Sequence, residues 1–363
     1  MNGDKKQHKE IRVIQIIDSL DAGGGERMAV NLANSLSGKV NFSGLVVTRK
    51  EGALLNAVNQ EVPYYFLNKK KKIDLKALKK LVQFIQLHDV SIIHAHSTSF
   101  FTATLVKLLK PNLKLIWHDH HGNRPNEKSL MNNTLKLSSY RFEHIIACSQ
   151  PLYNWAHENL KTKSISLINN FVMPFDMSPS PVHKNDYIIC VANLRSPKDH
   201  FTLVKAFSIV RKTINIDLIL LGEDRKDDYS LQLRELIAQE DIERSVHILG
   251  QVSNVANHIL QAKIGILTST VEGLPMALLE YAKAGLPVVV TDVGQCKEVV
   301  GDNAQVVPKN NPDLLAKAIK YYFDNPIQAK QDAERLSKKV EEEYGEQKII
   351  NSIMEVYKRV LSG

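Results

Sequence analysis

The stretch "MPFDMSPSPVHKND", residues 173–186, holds three prolines and no apolar periodicity, and it separates two lengths of chain that read alike. Before it stand the short apolar runs "RVIQIID" (12–18), "FSGLVVT" (42–48), "VSIIHAH" (90–96), "LKLIWHD" (113–119), "HIIACS" (144–149) and "SISLINN" (164–170). After it come "YIICVAN" (187–193), "IDLILLG" (216–222), "SVHILGQ" (245–251), "IGILTST" (264–270), "LPVVVTD" (286–292) and "AQVVP" (304–308). Segments with apolar residues every three or four positions lie between these runs, which is the pattern of buried parallel strands joined by crossover helices. A chain of 363 residues also exceeds the size at which one core keeps growing. The pattern therefore predicts an α/β protein of two Rossmann-like, doubly wound domains, residues 1–178 and 179–345, followed by a terminal helix over 346–363. Ligands of open parallel sheets bind beyond the carboxyl ends of the strands, so the expected site is the cleft between the domains.

Composition narrows the class. The three cysteines, Cys148, Cys190 and Cys296, are far apart and have neither disulfide-framework nor zinc-like spacing. "MNGDKKQHKE" at the start is polar, the following "IRVIQII" is too short for a signal segment, and no apolar run approaches the roughly 20 residues of a membrane span. The expectation is a cytoplasmic protein. Net charge is +8, concentrated in "NKKKKIDLKALKK", 68–80. With Ile73, Leu75, Leu78 and Leu81 facing inward on a helix, Lys69–Lys80 would present a basic face suited to an anionic membrane surface or substrate; the other reading is a solvated helix end. No aromatic platform or nucleic-acid motif accompanies the lysines, so nucleic acid is not an expected partner.

The chemistry starts in "VEGLPMALLE", 271–280. Pro275 suits a first helical turn, which leaves backbone N–H groups around Gly273 to Met276 for an anion. Glu272 just outside that helix and Glu280 inside it would repel phosphate, but each carboxylate can accept two hydrogen bonds from a vicinal diol. Two diols flanking a diphosphate describe a nucleotide sugar. In "VANLRSPKDHFTLVKAF", 191–207, Arg195 and Lys198 follow a strand and could neutralise a diphosphate leaving group, or be plain surface charges.

Taken in order, "VANLRSPKDH", "LILLGE", "HILGQV" and "TSTVEGLPMALLEYAKAGLPVVVTDVG" resemble the C-terminal domain of the retaining glycosyltransferases of family 4, which have the GT-B fold. "DAGGGERMAVNLANSL", "IIHAHS", "WHDHHGN", "IIACSQ" and "SLINNFV" follow that family's order in the first half, so the resemblance spans nearly the whole chain. It implies a metal-independent hexosyltransferase that uses a nucleotide-diphosphate sugar as substrate and needs no cofactor. It further implies that Glu280 holds the ribose hydroxyls, Glu272 the donor sugar hydroxyls, Gly273, Leu274 and Pro275 the sugar or phosphate through backbone groups, and Lys198 the diphosphate. Gly250 to Val252 would border the base. The sequence departs from the family at Asn193, where an arginine is usual, and Arg195 is the candidate replacement.

In the first half, Gly23, Gly24 and Gly25 let the backbone approach the diphosphate or the acceptor, although Met28 occupies the third glycine position of the dinucleotide fingerprint and disfavours a nicotinamide enzyme. "WHDHHGN" clusters His118, His120 and His121 without the cysteine or acidic partner of a metal site. The resemblance places one histidine near the anomeric carbon, and His120 and His121 are both candidates; His94 and His96 are expected to shape the cleft. No Asp-x-Asp pair occurs in the sequence. The expected acceptor is a glycan, lipid-linked, in cell-surface polysaccharide assembly. The alternatives are a nucleotide-sugar epimerase or hydrolase of the same fold, and a non-catalytic nucleotide-sugar-binding protein.

Overall fold

The computed structural model describes residues 10–21, 23–121, 124, 130–162, 164–173, 183–252 and 254–363, apart from the side chains of 130 and 131. They form two compact units, Met1–Asn170 with Glu346–Gly363, and Phe171–Gly345. The boundary expected after residue 178 falls outside the described residues.

In the first unit the chain runs β1 (Arg12–Ser19), α1 (Gly24–Leu36), β2 (Phe42–Lys50), β3 (Tyr64–Phe66), α2 (Leu75–Leu87), β4 (Ile92–His96), α3 (Phe100–Leu109), β5 (Lys114–Asp119), α4 (Leu130–Ser138), β6 (His144–Ala147), α5 (Gln150–Asn159) and β7 (Ile165–Leu167). The strands form one sheet in the order β3-β2-β1-β4-β5-β6-β7, every pair parallel. Helices on both faces require central strands that are apolar on both sides. β1 meets this with Val13, Ile14, Ile16 and Ile17, all at most 2% exposed and each stabilising the fold by about 1.5–3 kcal/mol. Gln15, equally buried in the middle of this strand, is the exception.

The second unit repeats the plan with β8 (Tyr187–Val191), α6 (His200–Arg211), β9 (Asp217–Leu221), α7 (Asp228–Gln239), β10 (Val246–Gly250), α8 (Val255–Gln261), β11 (Gly265–Leu267), α9 (Met276–Lys283), β12 (Val288–Thr291), α10 (Cys296–Val300), β13 (Gln305–Val307), α11 (Pro312–Asp324) and α12 (Pro326–Tyr344). Its sheet order is β10-β9-β8-β11-β12-β13, again all parallel. Pro312 and Pro326 open their helices in the first turn, where the missing N–H costs nothing. The last helix, α13 (Glu346–Ser362), belongs to the first unit, where it buries Ile349, Ile350, Ile353, Val356 and Tyr357.

Two sequence expectations need correction at the basic stretch. Lys69 is buried, with its Nζ donating to Thr102 Oγ1 at 2.6 Å, so it takes no part in an exposed lysine face. Ile73 and Leu75, expected inward, are 56% and 75% exposed. The reason is local: Asp74 caps α2 by accepting from Ala77 N, which leaves Ile73 before the helix and Leu75 in its first turn, while Leu78 and Leu81 point into the core. Among the described residues no helix is long and apolar enough to cross a membrane.

Buried histidines set the acid limit of this fold. Burial pushes His94 and His120 down to about 3, and His144, helped by Arg359, and His200 to about 4; His96 and His118 also lie well below the ordinary range. The unfolded chain then binds more protons than the native one below the unfolded histidine pKa of about 6.5, so their contribution is present above that pH and is lost as pH falls toward 4. Each histidine that must stay neutral costs about 1.4 kcal/mol per pH unit in this window. Urea midpoints should therefore fall steeply between pH 7 and pH 5; a flat profile would show that these rings are not held neutral.

Candidate active site

Each sheet reverses its winding at one place, between β1 and β4 in the first unit and between β8 and β11 in the second. Loops leaving the carboxyl ends of such neighbouring strands diverge and leave room for a ligand. Of the residues singled out from sequence, Arg195, Lys198 and Glu272 stand on the loops after β8 and β11 and Gly23 to Gly25 after β1, while His120 and His121 follow the neighbouring β5, and Gly250 and Val252 lie at the end of the edge strand β10.

In the second unit the loop after β8 and the loop after β11 are tied together. Thr268 Oγ1 donates to the carbonyls of Lys198 and Asp199, both at 3.1 Å, and Thr270 N donates to Pro197 O at 2.8 Å. On this frame Lys198 Nζ meets Glu272 Oε1 at 2.5 Å, and Ser269 Oγ donates to the same oxygen at 2.5 Å. The Glu272 side chain is only 9% exposed and that of Lys198 21%, so this pair is held largely out of water. Arg195 opens the same turn, with its carbonyl accepting from Lys198 N at 2.9 Å, and its side chain is exposed. Asn193, at the position of the family arginine, instead accepts from Glu223 N at 2.9 Å and joins the rims of β8 and β9.

Helix α9 starts beside Glu272. Pro275 is its N-cap, one position outside the expected first turn, and no side chain caps this end. Glu280 is 4% exposed inside α9, Leu274 is buried and Gly273 half-buried. Gly250 ends β10 with φ +70° and open space around it, its carbonyl accepting from Gly222 N, while Val252 packs on the core beneath.

Sequence reasoning passed over Ser269 and Gly294. Gly294 has φ +52°, and a Cβ there would lie 2.1 Å from the carbonyl oxygen of Glu272, so only glycine lets the loop after β12 support the glutamate. Its signal was the glycine that ends "VVVTDVG".

In the first unit, α1 begins at Gly24 with Gly23 as a bare N-cap. Gly24 is exposed and Gly25 buried; a Cβ on Gly25 would lie 3.1 Å from Ser97 Oγ and 3.2 Å from His120 Cβ, so the glycine brings α1 down onto the loops after β4 and β5. Glu26, also overlooked, folds back over Gly23, and burial raises its carboxyl pKa. His120 and His121 separate here. His120 Nε2 lies 2.9 Å from His96 Nδ1 and its ring stacks on His96 and His118, whereas His121 takes its place through its backbone N–H, which donates to Asp119 Oδ1 at 3.1 Å. Asp119 is fixed by a buried ion pair with Arg124, 2.6 Å from Nε to Oδ2. Gly122 and Asn123 of the motif lie outside the described residues.

Behind His120 the histidines form one polar layer. His96 Nε2 lies 2.9 Å from Gln15 Oε1, Gln15 Nε2 donates to Tyr357 Oη at 3.2 Å, Tyr357 Oη lies 2.7 Å from His94 Nδ1, and His94 Nε2 lies 3.2 Å from His118 Nδ1. Among the described residues, two groups bring three ligand atoms within 4.8 Å of one another, His94–His96–His118 and His183–Asp217–His247. In the first, both nitrogens of His94 and of His96 are taken up by the bonds above. The second stands at the amino ends of β8 to β10, at the opposite end of the strands from Lys198 and Glu272.

The chain matches two family descriptions, Glycosyltransferase Family 4 over residues 22–174 and Glycosyl transferases group 1 over residues 175–343. It belongs to glycosyltransferase family 4. A glycosyltransferase of Haemophilus influenzae is 25% identical over 343 residues, 91% of this chain and 94% of that protein. The O-antigen biosynthesis glycosyltransferase WbnH of Escherichia coli is 26% identical over 360 residues, 96% of this chain and 98% of its own. Among solved structures, Anabaena Alr3699/HepE in complex with UDP and glucose shares the fold at a TM-score of 0.80 and 18% identity, covering 95% of this chain and 99% of that one. This family 4 glycosyltransferase therefore has the GT-B fold.

The glycine beneath Glu272 offers a direct check. In Gly294→Ala the added Cβ must push the Glu272 carbonyl aside, whereas in Gly285→Ala, at φ +68° with open space, only backbone strain of about 1–2 kcal/mol is added. Both variants should melt earlier than the wild type, but only Gly294→Ala should weaken binding of a nucleotide sugar, by at least about tenfold. Equal affinities in calorimetry would detach Gly294 from the site.

Proposed function

We propose that this glycosyltransferase moves a hexose, with retention at the anomeric carbon, from a nucleotide-diphosphate sugar to a lipid-linked glycan in cell-surface polysaccharide assembly, without a required metal ion. The observation that carries the donor reading is the Lys198–Glu272–Ser269 cluster at the switch point of the second sheet, with Glu280 buried in the helix that follows. There the ribose diol pairs with Glu280 and the sugar hydroxyls with Glu272. The diphosphate draws Lys198 and the exposed Arg195, and Gly250 to Val252 border the base. In the first unit His120 is the better of the two histidine candidates for the transferred sugar, because its ring packs under Gly25 at the other switch point.

The charges fit a dissociative transfer. As the glycosidic bond breaks, negative charge builds on the diphosphate, and cations placed before reaction stabilise it without reorganisation. Lys198 is such a cation; the sequence holds no Asp-x-Asp and, among the described residues, no group of three metal-ligating side chains includes its partner Glu272, so the lysine supplies the charge that a divalent ion supplies elsewhere. WbnH supports the polysaccharide setting, and HepE with UDP and glucose supports a uridine nucleotide as the first donor class to try.

Calorimetry with a panel of UDP-sugars in buffer containing EDTA tests the donor site. One sugar should bind in the micromolar range and lose at least about a hundredfold in affinity in Glu280→Ala, the expected cost of removing a charged partner of two hydrogen bonds. Product analysis with that donor and a lipid-linked acceptor should then show an α-linked product. Release of free sugar alone would replace transfer by hydrolysis, and no binding by a folded protein would remove the donor site.

A lipid-linked acceptor would also suit the first unit's surface. Ile73 and Leu75 are exposed among Lys70, Lys71, Lys72, Lys76, Lys79 and Lys80, an arrangement suited to setting two apolar side chains into a bilayer and lysines on anionic headgroups, each worth about 1 kcal/mol. Sedimentation with phosphatidylglycerol vesicles should capture the wild type, and Ile73→Ser with Leu75→Ser should cut partitioning by at least about tenfold. Equal capture of the double variant would exclude this surface.

A further inference from the structure

The hydrogen bonds behind His120 form two chains that start from one amide, and we propose that Gln15 and Tyr357 are positioning residues that hold His120 in the tautomer protonated at Nε2, with Nδ1 kept as a hydrogen-bond acceptor. The tautomer follows from contacts within the first unit; its importance for transfer rests on the role given to His120 above.

The first chain leads to His120. Gln15 donates through Nε2 to Tyr357 Oη, so its Oε1 must accept, and the group 2.9 Å away is His96 Nε2. His96 therefore carries its proton on Nε2. Being fully buried it stays neutral, and its Nδ1 is a lone pair. His120 Nε2, 2.9 Å from that lone pair, must then donate, which leaves Nδ1 of the neutral His120 unprotonated. The second chain leads to His118. Tyr357 Oη already receives the Gln15 amide, so its one hydrogen goes to His94 Nδ1 at 2.7 Å; His94 Nε2 then donates to His118 Nδ1 at 3.2 Å, and His118 carries its proton on Nε2.

A second observation marks the ends of both chains. Among the described residues, His118 Nε2 and His120 Nδ1, whose ring centroids are 4.0 Å apart, and Asn170 Oδ1 are buried side-chain atoms without a partner in hydrogen-bond geometry. The Asn170 side chain lies close enough for hydrogen bonding with His120 to raise that ring's proton affinity, although neither His120 Nδ1 nor Asn170 Oδ1 has a partner in hydrogen-bond geometry. One chain thus ends in a donor and the other in an acceptor, two unmet demands that a ligand hydroxyl can satisfy together. Rotating the Gln15 amide by half a turn would reverse every proton in both chains and turn the free nitrogen of His120 from acceptor to donor. Tyr357, from α13, ties the two chains together: its hydroxyl receives the amide and passes its own hydrogen on to His94, so both chains keep one common direction. The network therefore couples residues 342 positions apart to one ring nitrogen.

A network that only filled the core would affect stability without choosing a tautomer. The test is ring-15N NMR of histidine-labelled full-length protein, wild type, Gln15→Met and Tyr357→Phe, with calorimetry for the donor and steady-state kinetics on the same samples. The wild type should show His120 protonated at Nε2 alone. Gln15→Met should populate the Nδ1-protonated form, and Tyr357→Phe should do so to a smaller extent and serves if Gln15→Met fails to fold. In each, kcat should fall by roughly tenfold to a hundredfold while donor affinity stays within about twofold. A wild-type His120 protonated at Nδ1, or a tautomer unmoved by both substitutions, overturns the proposal. A tautomer that shifts as expected in a protein that transfers no sugar would uphold the proposal and remove the function assigned to the ring.

Discussion

A parallel strand cannot be followed by a hairpin, and this constraint organises everything else in the molecule. Each connection must cross back over the sheet, so all the loops that follow strands collect at the carboxyl ends. Where the winding changes direction, the two neighbouring loops are carried to opposite faces and cannot pack on each other. In the second unit those loops carry Lys198 and Glu272; in the first they carry Gly25 and Ser97, with His120 from the next strand. The same topology thus produces two polar sites in one chain from unrelated residues.

What fills the two sites differs in charge. The second unit uses a cation and a carboxylate already in contact at 2.5 Å, each of which lowers the cost of keeping the other out of water. In the proposed donor complex the lysine would turn toward phosphate and the glutamate toward the sugar hydroxyls, so the ligand would replace one interaction with two instead of ordering a free side chain. The hydroxyl of Ser269 already donates to the same carboxylate and would limit the loss if Lys198 turned away.

Much of this was legible in the sequence, and the parts that were not have physical reasons. All six strands expected in the second half are present, because each reads as a short apolar run bounded by polar loops. β3 was missed: its three residues, Tyr64 to Phe66, are all partly exposed and too few to show a period. Ile73 and Leu75 were misjudged because a helical pattern was extended across the cap at Asp74. Glu272, Glu280 and Lys198 could be named from charge and spacing, and resemblance added their expected roles. Ser269 and Gly294 could not be found the same way, since one acts through a hydroxyl and the other through the absence of a side chain. The partners of the histidines were least accessible, because Gln15 reads as an interruption of a strand and Tyr357 as one more buried face of a terminal helix.

The burial of those histidines bears on the proposed chemistry. In a dissociative transfer the anomeric carbon becomes positive as the leaving group becomes negative. A protonated imidazole near that carbon would oppose the first change, and an exposed one titrates near neutral pH. Burial keeps His120 neutral across the physiological range. The same burial would leave a polar ring costly to hold without partners, which is why a whole layer of neutral donors and acceptors stands behind it.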